Sequence, residues 1–150
     1  MINMTVGFTI RAIDLGNGDV FRALVAEAST EGFQFVDRLA DEWNTGVNRF
    51  SRPGEKLLGV FDGDCAIAVG GLNRDPYAQQ DHVGRLRHLY VHPRYRRLGV
   101  ARQLVSALLE NHHEHFERVR LRTSTTAANH FYEACEFRPI EEADATHERA

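Results

Sequence analysis

The chain has 150 residues, 43% of them hydrophobic and 26% charged. That is enough for one buried core and too little for two full-sized domains, and the balance excludes a disordered, collagenous or coiled-coil chain. The net charge of -3 is unevenly spread: residues 1–81 carry seven basic and twelve acidic side chains (-5), residues 82–109 carry six arginines and no acid (+6), and residues 110–150 return to -4. Positive charge gathered in one stretch of an acidic chain points either to an anionic ligand or to a solvated basic face. No apolar run nears the ~20 residues of a bilayer span, and no basic flank with a following apolar stretch opens the chain. Cys65 and Cys135 lie far apart, without disulfide-scaffold or zinc spacing. A cytoplasmic location with no membrane partner is therefore expected.

Residues 6–13 alternate as an opening strand. Residues 19–28 and 33–43 carry apolar side chains at helical spacing: Val20 and Leu24 with Phe21 and Val25, then Phe35, Val36, Leu39 and Ala40. Residues 56–61 and 65–72 flank Asp62-Gly63-Asp64, a hairpin signal. Residues 73–81 are polar, hold Pro76, and read as a loop. Residues 85–91 form a strand that Pro93 ends. Val100, Ala101, Leu104, Val105, Leu108 and Leu109 keep the 3.6 period of a long amphipathic helix over 98–113. A strand at 119–123 follows, then a helix at 127–135 with Ala128, Phe131, Tyr132 and Cys135 on one face, and short strands at 137–140 and 145–147. The order predicts one α/β domain over 1–150, built on a mixed sheet around a βαβ crossover from 85 to 123.

Between that strand and its helix stands Arg96-Arg97-Leu98-Gly99-Val100-Ala101, an R-x-x-G-x-A string. A helix N-terminus leaves backbone N–H groups unpaired and carries partial positive charge, so it suits a phosphate or pyrophosphate. Glycine and a small Ala101 let an anion come close, and Arg96, Arg97 and Arg102 raise the local potential. An arginine-capped surface turn fits the same residues. There is no Walker loop and no GxGxxG.

The run from Leu89 to Ala101, with Asn129-His130-Phe131-Tyr132-Glu133-Ala134-Cys135-Glu136-Phe137 downstream, resembles the GNAT superfamily of acyl-CoA-dependent N-acetyltransferases over residues 84–139. The resemblance implies a mixed, mostly antiparallel central sheet with a parallel splayed pair and flanking helices. It implies that acetyl-CoA is the co-substrate and that Arg96, Arg97, Leu98, Gly99, Val100, Ala101 and Arg102 cradle its pyrophosphate. Main chain at Leu89, Tyr90 and Val91 would pair with pantetheine, Asn129 would contact the same arm, and Tyr132 would stand beside the thioester sulfur.

The implied reaction is transfer of an acetyl group to a primary amine by direct attack in a ternary complex. Tyr132 would protonate the leaving thiolate, although its place on an apolar helix face also fits a buried aromatic. A general base is less evident, because the family's strand glutamate falls at Arg85. His88, with a reference pKa near neutrality, is the first substitute and Glu42 the second. Loss of the base would leave an alternative, a non-catalytic acyl-CoA-binding module. Asp37, Asp41 and Glu42 lie on the acceptor side and read either as attractors of an ammonium or as a solvated helix face; Trp43 and Phe35 either line the acceptor pocket or pack in the core. The acceptor is expected to be a small-molecule or peptide amine, and members of the family are often homodimers. His112 and His115 share a helix face without a third ligand, so no metal is expected. The acidic remainder of the chain argues against a nucleic-acid partner.

Overall fold

The computed structural model describes residues 2–3, 7–14 and 21–150. The predicted starts of the first strand at Val6 and the first helix at Asp19, with Val20, lie outside the described residues, as do the side chains of Phe35, Val36 and Asp37. The described strands are β1 (Ile2–Asn3), β2 (Phe8–Ala12), β3 (Lys56–Asp62), β4 (Cys65–Arg74), β5 (Val83–Val91), β6 (Arg118–Leu121), β7 (Arg138–Pro139) and β8 (His147–Arg149), and the helices are α1 (Arg22–Thr30), α2 (Phe35–Thr45), α3 (Val100–Leu109) and α4 (Thr126–Ala134). They make one sheet in the order β1-β2-β3-β4-β5-β6-β8-β7. Every described pairing is antiparallel except β5 with β6.

Each face of the sheet carries its own core. On one face Ile10, Val60, Ile67, Leu72, Leu86, Leu104, Leu108, Val119 and Phe137 pack together. On the other, Phe21 at the cap of α1, Leu24 of α1 and Leu39 of α2 meet Leu57, Phe61, Val69 and Tyr90 of the strands. Each large side chain buried in this way contributes about 1.5–3 kcal/mol. The apolar stripe of α3 is real, since Val100, Leu104, Val105 and Leu108 are all buried. The helix is shorter than its periodicity predicts. Glu110 turns extended and Asn111 adopts φ +59°, so His112–Glu114 is a separate 3-10 turn rather than the last helical turn.

Two irregularities of β5 shape the molecule. Val69 faces Tyr90 and Gly71 faces Arg87, which leaves His88 and Leu89 opposite Gly70 alone. This bulge holds His88 at φ +60°. Arg87, which reaches Glu42 on α2, and His88, whose ring meets Phe50 edge-on at 6.3 Å, therefore leave the strand toward the same side. The second irregularity is brief parallel pairing, which runs only from Val83↔Arg118 to Arg85↔Arg120. Beyond that rung β5 continues to Val91, β6 ends at Leu121, and the two strands part.

The last paired rung sets two arginines side by side, which repel unless acids intervene. Asp75, with a fully buried side chain, lies 3.4 Å from Arg85 Nη1 and 3.7 Å from Arg120 Nη1. Arg85 Nη2 also donates to the carbonyl of Asp144 at 2.8 Å, and Arg120 Nη2 donates to Asp144 Oδ1 at 2.5 Å. Asp75 is further fixed by the backbone N–H of Tyr77 at 2.9 Å. Removing its charge leaves buried Arg85 without a carboxylate partner and Arg120 with Asp144 alone. Asp75→Asn is expected to lower stability by about 3–5 kcal/mol, read as a fall in the urea midpoint; a midpoint equal to wild type would show that the clasp carries no stabilisation.

Candidate active site

The fork between β5 and β6 opens into a cleft of about 870 Å³. Leu86–Val91 of β5 form one wall, and Leu121 with residues 122–125 and Ala127, Ala128, Phe131 and Tyr132 of α4 form the other. Its floor at one end is the start of α3. Gly99 caps that helix at φ +79°, a left-handed conformation that a Cβ makes costly. No side chain caps it, and the first intrahelical bond is Gln103 N–H to the Gly99 carbonyl at 3.1 Å. The amides of Val100, Ala101 and Arg102 thus lack helical acceptors, and a Cβ built on Gly99 would meet nothing within 4 Å. The exposed side chains of Arg97 and Arg102 make no ion pair among the described residues.

The turn leading into α3 is braced from three directions. Pro93 starts a 3-10 turn capped by His92, whose Nδ1 accepts from Arg94 N–H at 3.1 Å. Tyr95 donates its hydroxyl proton to Asp62 Oδ2 at 2.9 Å. Arg96 grips Glu31 at the end of α1 with both Nη atoms, at 2.7 and 3.1 Å, and its Nε donates to the Val91 carbonyl at 2.9 Å. Tyr90 donates to the same Glu31 carboxylate while its ring packs edge-on against Phe33 at 5.6 Å. Burial and that bond to Glu31 push the Tyr90 phenol up.

The predicted residues divide on this geometry. Leu89, Tyr90, Val91, Arg96, Arg97, Gly99, Val100, Ala101, Arg102, His88 and Tyr132 all line the one cleft. Leu98 and Asn129 do not. Leu98 turns outward, 52% exposed, and Asn129 lies one helical step past Ala128, away from the wall. Arg96 is committed to Glu31 and to the Val91 carbonyl rather than free for an anion. Tyr132 sits between Phe131 and Phe137, with ring centroids 5.0 and 5.9 Å away. Burial pushes its phenol up, so it stays a neutral donor. Cys135 is buried and its thiol is likewise pushed up by burial, which suits packing.

A second pocket of about 400 Å³ continues the cleft past the fork. It shares Leu86, Arg87, His88, Arg122, Thr123 and Ser124 with the cleft and adds Arg38, Tyr77, Arg85 and Asp144. His88 therefore belongs to both spaces. Arg85 is part of the clasp, its guanidinium held by Asp75, and as a donor-only cation it cannot act as the missing base. Glu42 accepts from Arg87 Nη2 at 3.3 Å and lines neither space. Asp41 and Trp43 also lie outside these walls. Of the two readings of these acids, the pocket linings favour the solvated helix face for Asp41 and Glu42, and arginines line the second pocket instead.

Sequence reading missed Glu31, Arg38 and the wall at residues 122–125. The polar run Arg122-Thr123-Ser124-Thr125 after an apolar strand was a usable signal, since Thr125 caps α4 through its Oγ1, 3.1 Å from Ala128 N–H. Glu31 offered none, being one acid among many on a surface helix.

The family model for the Acetyltransferase (GNAT) family matches residues 20–137. A solved protein from Exiguobacterium sp. 255-15, assigned to the acetyltransferases, shares 26% identity with a TM-score of 0.82, over 95% of this chain and 92% of that one. A GNAT-family acetyltransferase from Staphylococcus aureus Mu50 shares 17% identity at a TM-score of 0.73, over 95% and 98%. Ard1 from Thermoplasma volcanium shares 19% at 0.68, over 96% and 97%. No curated protein matches significantly. The chain belongs to the GNAT acetyltransferase family, whose members use acyl-CoA as co-substrate.

The bonds from Arg96 and Tyr90 hold the Glu31 carboxyl below its ordinary value of 4.5. A lowered carboxylate pKa stabilises the fold above the unfolded value, and that contribution is lost as pH falls through the folded one. Wild type should thus lose thermal stability on acidification below about pH 4.5, and Glu31→Gln should start lower at neutral pH and fall less. Parallel melting curves for the two proteins across that range would contradict the brace.

Proposed function

We propose that the protein transfers an acetyl group from acetyl-CoA to a primary amine, which attacks directly while both substrates occupy the forked cleft. The observation that carries this reading is continuity: a cleft along β5, with open amides at the start of α3 and Tyr132 in its walls, joins a second pocket through Leu86, Arg87 and His88. The residues fit the co-substrate. Amides from Val100 to Arg102 suit a diphosphate, Arg97 and Arg102 add unpaired charge, and the partly apolar walls of β5 and α4 suit a pantetheine arm.

Bound acetyl-CoA supplies a thioester carbonyl. The chain supplies alignment, which removes much of the entropic barrier to a two-substrate reaction. Tyr132, kept protonated by burial, gives its proton to the departing sulfur. His88, on the bulge shared by the two spaces, accepts the proton that the amine must lose. Arg85, engaged with Asp75 at the strand position where the family resemblance implies a glutamate base, favours a second reading, an acyl-CoA-binding module without turnover.

Thiol release from acetyl-CoA, measured against an amine panel, separates the two: amine-dependent release supports transfer, and tight binding without release supports the module. Gly99→Glu sets a carboxylate where the diphosphate would lie and should weaken acetyl-CoA binding roughly 10–100-fold by calorimetry; unchanged affinity would remove this turn from the site. Tyr132→Phe should lower kcat about 100-fold with little change in the KM for acetyl-CoA, and full activity would take Tyr132 out of the chemistry.

A further inference from the structure

We propose that the acceptor amine also carries an oxyanion, a carboxylate or a phosphate, held by Arg38, Arg87 and Arg122 in the pocket beyond His88. This rests on the acyl-transfer reading above and names the substrate class of the same site. Five guanidiniums stand in or behind the pocket wall, those of Arg38, Arg85, Arg87, Arg120 and Arg122, against the carboxylates of Asp75, Asp144 and Glu42. Asp75 and Asp144 are consumed by Arg85 and Arg120 at the clasp. Glu42 meets Arg87 through one oxygen at 3.3 Å. Arg38 and Arg122 make no ion pair or side-chain hydrogen bond among the described residues. Two positive charges therefore remain unbalanced in a concave wall.

Their origin argues against a chance solvated cluster. Arg38 comes from α2, Arg87 from β5 and Arg122 from the residue after β6, so three separate elements deliver guanidiniums to one space. Walls of one sign concentrate field in a cleft and attract the opposite charge. The planar fork of arginine suits a carboxylate or phosphate. The pocket, about 400 Å³, is of small-ligand size. His88 shares its wall, so one compact molecule can present an amine at the fork and an anion to the arginines. This anion site lies across the cleft from the start of α3, distinct from the place suited to a diphosphate.

The test compares kcat/KM, by thiol release, for matched amines: α-amino acids against their amides, and phosphoethanolamine against ethanolamine. The anionic partner of at least one pair should win by about tenfold or more, with the advantage shrinking as salt rises; the winning pair identifies carboxylate or phosphate. In the double variant Arg38→Gln/Arg122→Gln the KM for that anionic amine should rise about tenfold, whereas Arg52→Gln, exposed and outside both spaces, should match wild type. Equal or better use of the neutral amines overturns the proposal, and so does a rise in the KM for acetyl-CoA instead of the amine. If no amine is turned over, the transfer reading fails separately. Thermal shift with the same compounds then decides the anion site: stabilisation by an anionic amine that the double variant loses supports it, and no stabilisation overturns it.

Discussion

Arg85 and Arg120 face each other on the last rung that joins β5 to β6, and the buried carboxylate of Asp75 lies between them. Parallel strands that began to pair would ordinarily keep pairing, because each further rung satisfies backbone groups. Here a charged clasp closes the seam at one end. β6 stops at Leu121 and the polar run to Thr125 turns into α4, which spreads the strands and leaves a cleft where sheet would have continued. A buried charge cluster is an expensive device, with desolvation offset only by close geometry. Its position, at the origin of the cleft, gives Arg85 a structural role at that strand position.

The bulge at His88 and Leu89 is the second determinant. A regular strand would send Arg87 and His88 to opposite faces. One extra residue aims both toward α2 and leaves Leu89 and Val91 packing against the α3 side. Two side chains that line both the cleft and the second pocket are thus drawn from neighbouring positions of one strand. The brace of Glu31, Tyr90 and Arg96 then ties α1 to the turn before α3, so that the helix approaches the cleft at a fixed height while Arg97 and Arg102 stay outside the network.

Much of this architecture was legible from periodicity. The α3 stripe, the hairpin around Asp62-Gly63-Asp64 and the crossover from β5 through α3 to β6 follow from apolar spacing and turn residues. The family resemblance carried by residues 89–101 and 129–137 added the family, with its splayed pair. What stayed hidden depends on tertiary contact. Arg96 reads as a free cation until Glu31, 65 positions away, is seen beside it. The acids of α2 read either as an ammonium site or as a solvated face until the helix is docked, which brings Arg38 to the pocket wall instead. The bulge at His88 has no residue signature, since a histidine at positive φ looks like any other strand residue. The +6 balance of residues 82–109 also dissolves on folding: Arg85, Arg87 and Arg96 are paired with carboxylates, which leaves less free charge at the α3 turn than the count suggests.

The central claim is that the unpaired amides opening α3 grip the diphosphate of the acyl donor. Backbone amide shifts of isotope-labelled protein titrated with CoA test it most directly. The account predicts the largest saturating changes at Gly99, Val100, Ala101 and Arg102, with smaller ones along Leu86–Val91. Changes confined to other surfaces, with these four amides unmoved at saturation, would contradict it.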